Sequence, residues 1–213
     1  MAAGTTLTRD ELPVGRLEGF SDGVFAIAIT LLVLELSVAS DAEEHLLRSI
    51  LHEWPQYLAY VTSFLTIGVV WLEHSSITSA LRAADATMYR LNLLVLLLVS
   101  FLPFPTKLVA EFIGERDPEQ VAVVFYGLVL VALDLALTML WRYTVEHRRL
   151  VGDEADEERL DAGALKLGPS LAFYAGAIVA GYLLPTLGVA LYLSIAVYLA
   201  VPASTIRRLI RRA

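Results

Sequence analysis

Ionisable and amide side chains inside long apolar runs are the residues of this sequence most able to do chemistry. Each is costly to bury in hydrocarbon and marks a functional candidate by default. Asp22, Glu73, His74, Asn92 and Asp134 are of this kind. Asp22 lies six residues into an apolar run that starts near residue 16, about 9 Å along a helix at 1.5 Å per residue. With the helix directions argued below, Ser21, Asp22, His74 and Asn92 share one depth, and low dielectric demands that such groups satisfy one another. A polar knot that fixes helix packing is favoured over catalysis or ion binding. Arg16, just below, can pair with Asp22 or with a neighbour's carboxylate. Asp134 stands apart, with Arg142 or a polar group on a neighbouring helix as its expected partner.

No enzyme is legible in these residues. The sequence has no cysteine, which excludes disulfides, thiolate catalysis and iron–sulfur clusters. Its four histidines (His45, His52, His74 and His147) form no metal-spacing motif, so neither a metal centre nor a cofactor is expected. A nucleophile–base set is also lacking.

The run after Asp22 has a second pattern. Gly23, Ile27, Thr30 and Leu34 are spaced 4, 3 and 4 residues apart, which places them on one helical face. Around a symmetry axis, Ile27 and Leu34 would form apolar constrictions and Thr30 a ring of hydroxyls, the materials of a dewetting gate. The plainer reading is a packing stripe with the Thr30 hydroxyl bonded back to the Ala26 carbonyl. Spacing alone favours the plainer one.

The elements that carry these residues follow from composition. Of 213 residues, 57% are apolar and only 18% charged, against about 25% charged in a soluble domain. Mean hydropathy is +0.64. Six stretches are long and apolar enough to cross a membrane: 16–36, 55–75, 88–106, 120–142, 168–185 and 187–206. Pro55 and Pro169 suit helix starts, Pro103 and Pro105 interrupt the third span, and Pro185 with Gly188 marks a tight turn. Trp54, Tyr57, Trp141 and Tyr143 fall at span ends, where amphipathic rings prefer the interface. The first nineteen residues carry charges and lack a short apolar core, so the first span is expected to stay in the mature protein. No internal repeat is legible. The acidic run 153–161 reads as a solvated loop.

Positive charge sets the orientation. With the N-terminus inside, only Arg48, Lys107 and Arg116 lie outside, leaving 13 of the 16 Lys and Arg on the inner side. This split predicts both termini in the cytoplasm. The outer loops are acidic, with Asp41, Glu43, Glu44 and Glu53 in one and Glu111, Glu115, Asp117 and Glu119 in the other. Ordinary solvation explains them, and a vestibule that enriches cations is the functional alternative. The net charge of −7 argues against a nucleic-acid partner.

The segment Arg16-Leu17-Glu18-Gly19-Phe20-Ser21-Asp22, followed by Gly-Val-Phe-Ala-Ile-Ala-Ile-Thr-Leu-Leu-Val-Leu-Glu-Leu, resembles the opening helix of the transmembrane protein 175 family. These are the lysosomal potassium channels and their bacterial relatives. Trp71-Leu72-Glu73-His74, Asn92 and Leu102-Pro103-Phe104-Pro105-Thr106 extend the likeness. It covers all six spans and is sharp in the first three. The resemblance implies potassium-selective channels without a T-V-G-Y-G filter, a string this chain also lacks. It implies a homotetramer whose first helices line the pore, with Ile27, Thr30, Leu31 and Leu34 as pore residues and Ile27 and Leu34 as bottlenecks. It places Arg16, Phe20, Ser21 and Asp22 in a structural network behind the pore, which His74 and Asn92 join by depth. Animal members carry two such six-helix units per chain, and this chain carries one.

The expectation is thus an all-α, six-span protein of the inner membrane, one transmembrane domain over 1–213 with no separate soluble domain. Its partners are copies of itself, membrane lipid and potassium ions, with conduction passive. The rival reading is a proton- or cation-coupled secondary transporter relaying through Asp22, His74 and Asp134. Such carriers usually show repeats and broken midplane helices.

Overall fold

The computed structural model describes residues 12–37, 46–114, 116–152 and 157–200, with side chains left out at 116–117 and 157–168. Eight α-helices account for nearly all of it: α1 Val14–Leu31, α2 Leu46–His52, α3 Trp54–Thr78, α4 Ala86–Phe101, α5 Pro103–Phe112, α6 Arg116–Glu146, α7 Glu157–Leu183 and α8 Pro185–Ala200. A 3₁₀ turn, Leu32–Glu35, continues α1, and another follows α6 at Arg148–Leu150. Among the described residues no strands form, only two isolated backbone bridges, Leu12 with Ala84 and Leu81 with Val151.

Among the described residues, four helical stretches are long and apolar enough to cross a membrane: Val14–Glu35, Trp54–Thr78, Ala86–Phe112 and Pro118–Glu146. Pro169–Leu183 and Pro185–Ala200 are apolar but shorter. The third stretch carries the interruption foreseen at Pro103. Prolines 103 and 105 lack N–H groups, so the Val99 carbonyl takes the Leu102 amide instead, at 3.2 Å. The chain then resumes as a helix, with the Thr106 hydroxyl bonded back to the Leu102 carbonyl at 2.8 Å.

The fifth span departs from the sequence reading. Helix α7 begins at Glu157 and passes through Pro169, where a start near residue 168 was expected. Residues 157–161 are therefore helical where a loop was read, and 153–156 lie outside the described residues. The Pro169 ring is exposed, so the helix forgoes one amide hydrogen bond without a buried clash. The turn after it falls where Pro185 and Gly188 put it. Leu184 alone separates α7 from α8, and a Cβ on Gly188 would come within 2.5 Å of the Gly181 Cα. Small residues let these two backbones approach as membrane helices do. Residues 201–206 of the expected sixth span lie outside the described residues.

Helix α1 packs on α3 and α4, while α6 packs on α4, α5 and α7, and α8 on α3 and α7. The end of the bundle holding the start of α1 is tied by backbone and carboxylate together. Leu12 and Ala84 exchange amide bonds at 2.7 and 3.0 Å, and the Arg82 amide reaches the Leu150 carbonyl at 2.9 Å. Asp85 caps α4, its Oδ1 accepting from the Thr87 and Met88 amides at 3.1 and 3.0 Å. Its Oδ2 accepts from the Tyr143 hydroxyl at 2.8 Å and the Arg149 guanidinium at 3.1 Å.

Burial alone would raise the Asp85 pKa, but the donors from Met88, Tyr143, Arg149 and Thr87 together hold it below the usual carboxylate value. A depressed folded-state pKa contributes stability above the unfolded value, which is lost as pH falls through the folded value. Asp85→Asn is therefore expected to lower stability by about 1–3 kcal/mol at neutral pH. The gap from the parent protein narrows from about pH 4, where the unfolded carboxylate begins to protonate, and closes as pH falls through the parent's lower folded-state value. Thermal unfolding of both proteins in detergent from pH 7 to 3 checks this. A gap that stays constant over that range contradicts it.

Candidate functional site

Helix α1 has two faces with different fates. Leu17, Ser21, Phe25, Ala28 and Leu32, spaced 4, 4, 3 and 4, are buried against α3 and α4. The opposite face carries Gly23, Ile27, Thr30 and Leu34, all exposed. Ile27 is 61% and Leu34 73% accessible, and Leu31, on the flank of that face, 41%. The Thr30 hydroxyl donates within its own helix, 2.9 Å from both the Ala26 and Ile27 carbonyls, as the packing-stripe reading foresaw. That leaves the oxygen lone pairs on the exposed face.

Behind α1, three of the residues grouped by depth meet. The Asn92 side chain of α4 stands between Ser21 of α1 and His74 of α3. His74 Nε2 lies 2.6 Å from Asn92 Oδ1, Asn92 Nδ2 donates to Ser21 Oγ at 3.0 Å, and Ser21 Oγ donates to the Leu17 carbonyl at 2.8 Å. With Nε2 protonated, each link in this chain pairs one donor with one acceptor. All three residues are buried, and the Phe25 ring covers the imidazole with centroids 5.3 Å apart. This arrangement is suited to fixing three helices against one another. It offers no nucleophile and no open coordination site.

Asp22 takes no part in that chain. It is exposed, and its Oδ1 accepts from Trp71 Nε1 at 2.9 Å, bracing α1 against α3 from the other side. Arg16 and Phe20 are also exposed, Phe20 to 57%. The ion pairs found among the described residues, Lys107–Glu35, Arg142–Glu146 and Arg149–Asp85, include neither Arg16 nor Asp22. Trp71 is a bracing residue the sequence reading quoted only as part of a motif. Its position three residues before His74 on one helix was the available signal.

Of the two partners offered for Asp134, the structure selects the neighbouring helix. Ser170 Oγ donates to Asp134 Oδ1 at 2.8 Å, while Arg142 lies 3.7 Å from Glu146. A further hydroxyl cluster, Ser63 with Thr106 at 2.7 Å and Tyr126 at 2.9 Å, joins α3, α5 and α6 and was missed. Thr106 follows the two prolines, and its hydroxyl shares the Leu102 carbonyl with its own amide. Among the described residues no group of three or more His, Asp or Glu side chains could hold a metal ion.

The fold and this site define an all-helical membrane protein whose first helix is polar-anchored on one face and uncovered on the other. The family model described as the endosomal/lysosomal potassium channel TMEM175 matches residues 16–103, which hold every one of the candidate residues from Arg16 to Asn92. A potassium channel of Streptomyces collinus is 43% identical over 143 residues, covering 67% of this chain and 69% of the relative. One of Chamaesiphon minutus is 40% identical over 174 residues, covering 79% and 85%. The crystal structure of a lysosomal potassium-selective channel TMEM175 homolog from Chamaesiphon minutus superposes with a TM-score of 0.79. It is 36% identical, and the match covers 88% of this chain and 96% of that one. This chain belongs to the TMEM175 family, a family of ion channels and not of enzymes.

Removing the central amide should unfasten the three helices. Asn92→Leu leaves the His74 N–H buried without an acceptor, at a cost of about 1–3 kcal/mol. The thermal midpoint of the purified protein should drop, whereas Thr30→Val, whose hydroxyl bonds only within its own helix, should leave it nearly unchanged. Equal midpoints for Asn92→Leu and the parent protein would show that the amide is not what fastens α1.

Proposed function

We propose that the chain is a passive, potassium-selective channel, assembled from four copies with α1 of each lining a central pore. The observation that carries this reading is the uncovered apolar face of α1 that contains Ile27 and Leu34. An apolar face beside an exposed hydroxyl suits a narrow aqueous path as well as it suits lipid, and the names of the bacterial relatives favour the path. On this reading Ile27 and Leu34 form two dry constrictions, Thr30 a hydroxyl ring between them, and Leu31 the flank of the wall. Potassium sheds its water at lower cost than sodium, so a dry constriction favours it. Arg16, Phe20, Ser21, Asp22, His74 and Asn92 belong to the scaffold that aims this face.

One transmembrane domain makes up the chain. Val14–Glu35, Trp54–Thr78, Ala86–Phe112 and Pro118–Glu146 supply four spans, and the apolar stretches of α7 and α8 complete six. The membrane is the inner cell membrane, with both termini cytoplasmic. The support is the 13 of 16 Lys and Arg that this orientation places inside.

Ile27→Asn puts amides into the proposed constriction and lowers its dewetting barrier. Proteoliposome recordings should then show larger currents and weaker discrimination of potassium from sodium. Leu32→Asn, on the fully buried face, should reduce yield or assembly without raising flux. If Ile27→Asn changes nothing while Leu32→Asn alters selectivity, the other face conducts. Reversal potentials that follow the potassium gradient without a counter-ion separate this channel from a coupled carrier.

A further inference from the structure

Between α3, α6, α7 and α8, away from α1, lies a cavity of about 30 Å³ walled mainly by Val and Leu. Asp134 lines it and is only 9% exposed. Its Oδ1 is held by Ser170, and its Oδ2 has no hydrogen-bond partner. A carboxylate buried with one free oxygen costs several kcal/mol unless a positive charge neutralises it. Among the described residues, the side chains around the cavity include no Lys, Arg or His. What they do provide is oxygen: Thr66 and Glu73 from α3, Ser170 and Tyr174 from α7. The Thr66 and Ser170 hydroxyl protons are already directed elsewhere, to the Thr62 carbonyl at 2.8 Å and to Asp134, so these oxygens face a ligand only as acceptors.

We propose that this cavity is a binding site for one monovalent inorganic cation, potassium or sodium, held by Asp134 Oδ2 and the neighbouring hydroxyl oxygens. The space exceeds the 10–15 Å³ or so that one water-sized occupant needs, and it admits no organic cation of any length. Hard oxygen donors with one uncompensated negative charge suit an alkali cation. Protonation alone would neutralise Asp134 without requiring a cavity at its free oxygen. Among the described residues, the titratable groups facing Asp134 are Glu73 from α3 and Tyr174 from α7, while α8 contributes Ala196 and Leu199. The cation is structural: it lies inside one chain and joins four helices, and the site stands whether or not α1 lines a pore.

The test is thermal unfolding of the purified full-length protein in detergent at fixed ionic strength, with potassium, sodium or N-methylglucamine chloride. For the parent protein, potassium or sodium should raise the midpoint saturably over N-methylglucamine, as a ligand of the folded state does. Asp134→Asn should lose most of that rise while keeping a midpoint in N-methylglucamine at least equal to the parent's, because a buried charge is gone. Ser170→Ala should keep the rise but need about tenfold more cation to reach half of it, which is about 1.4 kcal/mol. An equal cation response in the parent protein and Asp134→Asn overturns the site, since any cation bound elsewhere would act on both. So does a parent midpoint indifferent to cation that climbs as pH falls from 8 to 5, the mark of a carboxyl neutralised by a proton alone. Should Asp134→Asn not fold, an unchanged half-saturation in Ser170→Ala overturns it equally.

Discussion

The amide of Asn92 decides which way the first helix faces. Within hydrocarbon there is no water to satisfy a loose polar group, so Ser21, Asn92 and His74 must find one another or leave donors unpaired. Once Ser21 is drawn to Asn92, the azimuth of every other residue on α1 follows at about 100° per residue. Gly23, Ile27, Thr30 and Leu34 then fall roughly 180–240° round from Ser21, and Leu32 returns to within about 20° of it. The buried and exposed strips of α1 follow that geometry. One hydrogen-bonded amide thus settles which strip packs against α3 and α4 and which is left for another environment.

Depth was legible in the sequence and azimuth was not. Counting residues from span ends put Ser21, Asp22, His74 and Asn92 in one layer, and three of the four do meet. Asp22 adjoins Ser21 in sequence, and that adjacency turns it about 100° away, toward Trp71 on the other flank of α3. A similar limit applied to Asp134, whose partner depended on which helix would lie beside α6. Only the packing of α7 against α6 brings Ser170 within reach. The Pro169 misreading has another origin. Proline marks helix starts because its missing amide is harmless there, but an exposed ring in a long helix is tolerated too.

The two halves of the bundle are held by different means. Around α1, α3 and α4 the fastening is polar, through Asn92 at one level, and the Ser63–Thr106–Tyr126 hydroxyls tie α3 to α5 and α6 at another. Around α6, α7 and α8 it is chiefly close approach, beside the Ser170–Asp134 hydrogen bond. Gly181 faces Gly188, and Gly127 leaves the space that the Tyr192 hydroxyl occupies on its way to the Val123 carbonyl. Lipid tails are as apolar as leucine, so burial alone does not drive helices together in a membrane, and these are the two available substitutes. Polar fastening fixes rotation, which matters for a helix with one functional face. Close packing of small residues fixes distance, which suffices for a supporting layer.

The acidic outer loops weigh on the proposed conduction in the same physical terms. A field that enriches cations requires carboxylates that are charged and free to face solvent. Two of these acids, and Glu35 nearby, are otherwise engaged. Glu53 takes a hydrogen bond from Gln56 at 2.6 Å, Glu119 is buried in the wall of the bundle, and Glu35 at the end of the α1 stretch lies 3.6 Å from Lys107. That pair is neutral overall, so Glu35 adds no net negative charge at the level where a vestibule would need it. Discrimination among cations on the proposed path would then rest on the dry face of α1 and on the polar chain that aims it, with surface charge a lesser influence and one that salt readily screens.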